Sequence, residues 1–255
     1  MRIHLAGISG VKKQLLSGEL NVEEIFALES FYSLQDWEVP LLNRFASFLL
    51  DSGAFTFMQS AVKHGSVDWL SYADRYADFI RENRIRNYFE LDIDSIKGLE
   101  YAEMLRSRIE SRVGWQSIPV WHTERGKDYF LGMVKDYKFV ALGSIAKVLP
   151  PKIAIGERYF PWFIKEAHKT GCRLHALGYT SLTGLHKYHF DSVDSTTWTM
   201  GSRYGEAMVF KNGTIVKKNS VAGGVKFRSL KKDINISLHN FKEWMKFQKY
   251  ADTNL

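Results

Sequence analysis

The sequence of 255 residues holds a single cysteine, Cys172. One thiol makes no intramolecular disulfide and cannot supply a zinc site built from several thiolates. A reducing compartment fits, and the cytoplasm is the expected location. Long apolar runs are also missing. None reaches the ~18 residues that would suggest a membrane span, so no membrane partner is expected. The opening MRIHLAGISGVKK has too short an apolar stretch for a signal peptide and reads as a first strand. Proline is scarce at 5 residues, and no Pro/Gly-rich stretch marks a linker. There is no internal repeat and no low-complexity segment. Apolar residues at 45% and aromatics at 14% exclude disorder and allow a large core.

Positive charge is in excess and unevenly placed. Residues 1–210 carry 25 Lys and Arg against 25 Asp and Glu, whereas residues 211–255 carry 10 against 3. The whole net charge of +7 therefore lies in residues 211–255. A neutral body with a basic end suggests a polyanionic partner such as nucleic acid; a merely solvated basic face fits equally well.

Short apolar runs alternate with helical patterns, which is how βαβ units read. Candidate strands are Ile3–Ala6, Ile25–Tyr32, Phe48–Asp51, Tyr88–Asp94, Ile118–His122, Phe139–Gly143, Arg173–Gly178 and Phe190–Asp194. The second also has helical character. Helices are expected over Val67–Arg81, with Ser66 as N-cap and Leu70, Ala73, Ala77 and Ile80 on the buried face, and over Gly98–Val113 and Glu157–Thr170. Length and alternation predict an α/β fold, a (β/α)8 TIM-type barrel as a single domain over residues 1–255. Residues 1–210 would form the barrel. Residues 211–255 would complete a C-terminal hairpin and a basic helix. The hairpin spans Met208–Lys218, with Asn212-Gly213 as a type I′ turn. The helix spans Leu238–Tyr250, with Leu238, Phe241 and Met245 as its apolar face and Lys242, Lys246 and Lys249 on another.

Active sites of such barrels lie where strands end. Here FLL ends in Asp51, YFEL in Asp92-Ile-Asp94, IPVW in His122, FVAL in Gly143-Ser144 and HFDSV in Asp194, while RLHAL carries His175. A lone strand-end carboxylate is often a helix cap. Four acids on three strand ends would instead converge on one pocket. Converging carboxylates suit substitution at a sugar carbon, and they would equally suit a divalent metal. His186 and His189 lack a trustworthy ligand spacing with acids, and no metal is expected.

At these residues the chain resembles the tRNA-guanine transglycosylases. Leu50-Asp51-Ser52-Gly53-Ala54-Phe55 looks like the family motif D-S-G-G-[FY]. Val140 to Ala146 looks like A-L-G-G-L-A. His175-Ala-Leu-Gly178, then Asp191-Ser-Val-Asp194, resembles the run into the nucleophile strand, and Thr199 to Phe210 the stretch beyond it. Order and spacing agree over about residues 48–213. The chain is shorter than the tRNA enzymes and lacks the cysteines of their zinc site. This trimmed form is similar to phage-encoded DNA-guanine transglycosylases, which insert 7-cyano-7-deazaguanine (preQ0) or a relative into viral DNA.

The resemblance implies a pentosyltransferase working by double displacement, with DNA or else tRNA as one substrate, a free 7-deazaguanine base as the other, and no cofactor. If phage-encoded, it would act in the host cytoplasm. Asp194 would be the nucleophile, with Asp191 as its rival, and Asp51 the acid/base. Ser52, Gly53, Phe55, Asp92, Asp94, His122, Gly143, Ser144 and His175 would bind the base. Arg203, beside Ser195-Thr196-Thr197, and Lys242, Lys246 and Lys249 would contact phosphates. Asp92 and Asp94 would share one side of a strand. Each has a plainer reading: an Asx-turn for Asp51, core packing for Phe55, a structural histidine for His122 and His175. A retaining nucleoside or glycoside hydrolase and a non-catalytic nucleic-acid-binding barrel are the alternatives.

Overall fold

The computed structural model describes residues 1–54, 67–143, 157–200, 206–218 and 236–255. Phe55, Ser66, Ser144 and Arg203 lie outside the described residues. Strands β1 (Arg2–Ala6), β2 (Phe26–Ser30), β3 (Ser47–Asp51), β4 (Val120–Trp121), β5 (Phe139–Leu142), β6 (Arg173–Ala176) and β7 (Ser192–Ser195) form one seven-stranded sheet, in the order β3-β2-β1-β7-β6-β5-β4. Helices α1 (Lys12–Leu16), α2 (Trp69–Glu82), α3 (Asp94–Lys97), α4 (Leu99–Val113), α5 (Gly126–Asp136), α6 (Phe160–Lys169) and α7 (Leu182–Lys187) fall between the strands. A hairpin, β8 (Ala207–Lys211) and β9 (Thr214–Lys218), and helix α8 (Ile236–Asn254) follow. The fold is α/β. Among the described residues no helix is long and apolar enough to cross a membrane.

One expected strand does not form as such. Tyr88–Asp94 makes only isolated parallel bridges, Leu50 with Tyr88 and Phe89 with Ile118. The cause is local. The Glu90 carboxylate, rather than a backbone carbonyl, accepts the Val120 N–H at 2.6 Å. Beyond it, Ile93 N–H turns back to Leu91 O and Asp94 opens α3. The described residues therefore form a seven-stranded sheet and not a closed ring of eight regular strands, and Asp94 is not on a strand with Asp92.

The chain divides into two compact units: Met1–Ala27, Phe45–Ser47 and Gly178–Leu255; and Leu28–Arg44 with Phe48–Leu177. In the first, β1 and β7 run parallel, with Ile3 beside Val193 and His4 beside Asp194. Helix α8 packs on β1 and on the hairpin. Asn212 and Gly213 have φ of 51° and 78°, the paired positive angles of the expected type I′ turn. The buried face of α8 differs from expectation. It is made by Phe241, Trp244, Phe247 and Ala251, while Leu238 and Met245 are half-buried. Trp198 stacks edge-on against Phe241 at 4.9 Å. Two buried amides on the same face satisfy backbone that would otherwise be stranded. Asn240 accepts the Met208 N–H at 2.8 Å, and Gln248 accepts the Phe26 N–H at 3.1 Å.

In the second unit, β5 runs parallel between β4 and β6. Helix α2 starts at Asp68, not Ser66, because the Asp68 carboxylate accepts the Ser71 N–H at 3.0 Å. Its core face is Trp69, Tyr72, Ala73, Tyr76, Ala77 and Ile80; Leu70 points to solvent. The aromatic rings of Tyr72 and Tyr76 take the buried stripe and place their hydroxyls on β3 and the turn after it. Tyr76 donates to Leu50 O at 3.2 Å and lies 3.0 Å from Phe89 O, so it joins β3 to the bridged segment.

Candidate functional site

The turn after β3 is built by its own side chains. Asp51 Oδ2 accepts the Gly53 N–H at 2.9 Å, the Asx-turn geometry. Ser52 is fully buried, and its carbonyl accepts the Tyr72 hydroxyl at 2.6 Å. Gly53 has φ +81°, and a Cβ there would lie 2.4 Å from Tyr32 Cβ. No other residue fits without moving backbone. Asp51 itself is half-buried at the strand end.

The richest chemistry sits between the 90–94 segment and the end of β4. His122 Nε2 donates to Asp92 Oδ2 at 2.9 Å, both side chains being 15% exposed. Burial opposes the imidazolium, but the Asp92 hydrogen bond and the charges of Asp92 and Asp94 outweigh it and raise the pKa of His122. Gly143 closes the other side of the ring. A Cβ on Gly143 would lie 2.4 Å from His122 Cε1 and 2.6 Å from Nδ1. Asp94 faces Arg125, whose Nε donates to Oδ2 at 2.9 Å. Burial pushes the Asp94 carboxyl up, yet Arg125 holds it below the usual range.

Glu90, which is not among the sequence-based candidates, is fully buried and accepts from Arg125 Nη1 at 2.7 Å and from Arg106 Nη1 at 3.2 Å. Arg125 is likewise absent from those candidates. The available signal is the alternation Glu90-Leu-Asp92-Ile-Asp94, three acids at every second residue, for which the molecule must find cations. His175 is 0% exposed, its ring packed 5.3 Å from that of Phe89 and 6.3 Å from that of Phe139.

In the other unit, Asp194 lies on β7, 9% exposed. Its Oδ1 accepts the Gly178 N–H at 2.6 Å, which fixes the carboxylate's orientation. Its register neighbour on β1 is His4, a buried residue that no sequence motif marks; His4 Nε2 and Ser47 Oγ are 2.9 Å apart. Asp191 occupies the opposite, amino-terminal end of the strand. Its carbonyl accepts the Arg2 N–H at 3.0 Å, and its charge acts on the Met1 ammonium together with Asp252.

On α8, Lys242, Lys246 and Lys249 are exposed. Lys242 pairs with Glu19 at 2.8 Å and Lys246 with Glu243 at 2.5 Å. Among the described residues no three His, Cys, Asp or Glu side chains are grouped to hold a metal ion. No protein-family model and no curated protein matches the sequence.

Proposed function

We propose that the protein is a guanine transglycosylase that exchanges guanine for a 7-deazaguanine, such as preQ0, in DNA. The observation that carries this reading is the Asp92–His122 pair at 2.9 Å, backed by Gly143, with His122 directly after β4. A carboxylate suits the N1–H and exocyclic amine of a guanine-like base, since both are donors. The His122 imidazole, bonded to Asp92 through Nε2, holds that carboxylate in place. The motif resemblance over residues 48–213 supports the same reading. It also supports a closed eight-stranded barrel in which residues 87–90 supply the reduced strand; the bridges of Leu50 with Tyr88 and of Phe89 with Ile118 favour that arrangement.

In the proposed reaction the Asp194 carboxylate attacks C1′ of the target nucleotide. The C1′–N9 bond breaks, and guanine leaves with the proton that Asp51, acting as acid, gives it. The incoming deazaguanine gives its N9 proton to Asp51 and attacks C1′, releasing Asp194. A target base must first be unstacked or single-stranded. Asp194 is favoured over Asp191 because Asp191 lies among the chain's own N-terminal charges, at the wrong end of the strand for a βα-loop site.

The test is covalent trapping. Guanine-containing DNA incubated without a second base should form a protein–DNA adduct on a denaturing gel. Asp194→Asn should abolish it and Asp191→Asn should leave it. The reverse pattern refutes the assignment, and no adduct from folded wild-type protein refutes double displacement.

A further inference from the structure

Glu90, Asp92 and Asp94 recur at alternate positions, yet each meets a different partner. Glu90 is held by Arg125 and Arg106, Asp94 by Arg125, and Asp92 by His122. We propose that Arg125 is a positioning residue that takes up Glu90 and Asp94, and so leaves Asp92 and His122 as the acid–imidazole pair presented to ligand. The inference rests on the base-reading role given to that pair above.

Three features of Arg125 carry the argument. Its side chain is 1% exposed, so its bonds are shielded from water and salt. Its guanidinium spans two carboxylates, Nη1 to Glu90 Oε1 at 2.7 Å and Nε to Asp94 Oδ2 at 2.9 Å. A lysine, with one compact ammonium, does not reproduce that fork. Third, its own backbone N–H donates to the His122 carbonyl at 3.0 Å. Anchoring the Arg125 side chain therefore anchors the turn, Thr123–Arg125, that follows His122 directly. The Tyr129 ring, 5.5 Å from the guanidinium, covers it. Among the described residues the charged groups acting on His122 are Asp92, Asp94 and Arg125, and just beyond β5 Gly143 offers no side chain at all. Without Arg125, Asp94 would be an uncompensated anion beside the imidazole and would compete with Asp92 for it.

The experiment follows the His122 ring by NMR through a pH titration, in protein labelled at histidine, with His122→Gln assigning the signal. Arg125→Met should move the His122 titration up by about half a unit or more, because the Asp94 charge is no longer balanced. Arg125→Lys should move it by less. Free guanine should bind Arg125→Met at least about tenfold more weakly than wild type, with Arg125→Lys between them. An unchanged His122 titration in folded Arg125→Met overturns the proposal. Should Arg125→Met fail to fold, Asp94→Asn decides. It keeps an acceptor for Arg125 and removes the charge, so the His122 titration should fall, and an unmoved titration overturns the proposal. Wild-type protein that titrates as expected but binds no guanine overturns the base-reading role and leaves the positioning by Arg125 standing.

Discussion

Gly143 is where one added carbon would report most directly on the site. Its missing side chain is filled by the His122 ring, since an alanine Cβ would lie 2.4 Å from Cε1, 2.6 Å from Nδ1 and 2.9 Å from Val120 Cγ1. Each distance is far inside ordinary contact, so Gly143→Ala must push the imidazole away. Overpacking of this kind costs about 1 to 3 kcal/mol. Displacing His122 also breaks its hydrogen bond to Asp92, a charged pair contributing about 1.5 to 3 kcal/mol. The expected destabilisation is about 2 to 4 kcal/mol, allowing for partial relaxation. With a urea slope near ~2 kcal/mol/M, the midpoint should fall by about 1 to 2 M. In a His122→Ala background the two closest clashes are gone and Val120 Cγ1 is the next atom met, so the same change should cost about 1 kcal/mol, giving a coupling of at least ~1 kcal/mol between the two sites. Equal costs in the two backgrounds would show that His122 does not occupy the space above Gly143, and would refute the reasoning.

Two further outcomes follow from the electrostatics. The folded pKa of His122 is raised above its usual 6.5, so its contribution to stability is complete below that value and is lost as pH climbs through the folded pKa. Urea midpoints of wild-type protein should therefore decline over that window relative to His122→Gln, and parallel pH profiles would exclude a charged His122–Asp92 pair. Neutralising Lys242, Lys246 and Lys249 together should weaken binding to all DNA sequences alike. For every phosphate these lysines no longer neutralise, the salt slope should flatten by roughly 0.9 on duplex and roughly 0.7 on single strands. Because Lys242 and Lys246 already pair with Glu19 and Glu243, an unchanged slope would mean those pairs persist and α8 meets no phosphate.

The sequence was most readable where one rule acted alone. Alternating apolar runs located β1 to β7, and Asn212-Gly213 located the hairpin turn. It was least readable where a side chain replaced backbone. Nothing in the pattern Tyr88–Asp94 says that Glu90 will turn its carboxylate onto the Val120 N–H, so a strand was expected where two bridges formed. The α8 face was misplaced for a related reason. Counting apolar letters chose Leu238 and Met245, but the buried stripe includes Asn240 and Gln248, polar residues kept there to satisfy backbone. For the site, the residue types at strand ends were legible, while the partners deciding their roles were not. Arg125 is one cation among many in sequence and becomes distinctive only through its burial.

Charge balance across that cluster bears on which ligand it suits. Glu90, Asp92, Asp94 and, on Arg106, Glu103 are set against the two cations Arg106 and Arg125, so acids outnumber bases in the cluster. An excess of negative charge in so sheltered a place favours added protons, and the pKa values of His122 and of the fully buried Glu90 are both raised. The cluster is strongly dipolar, with the Asp92 carboxylate beside the His122 imidazole. Such a surface holds little attraction for a phosphate, which needs net positive charge. On the proposed function, the Asp92 carboxylate would meet the donor edge of guanine or a 7-deaza relative. On that proposal the phosphates of a nucleic acid would be met elsewhere, so base recognition and backbone recognition should be separable. Mutations at Asp92 or His122 should change which base is taken, and mutations of surface lysines should change only how tightly the strand is held.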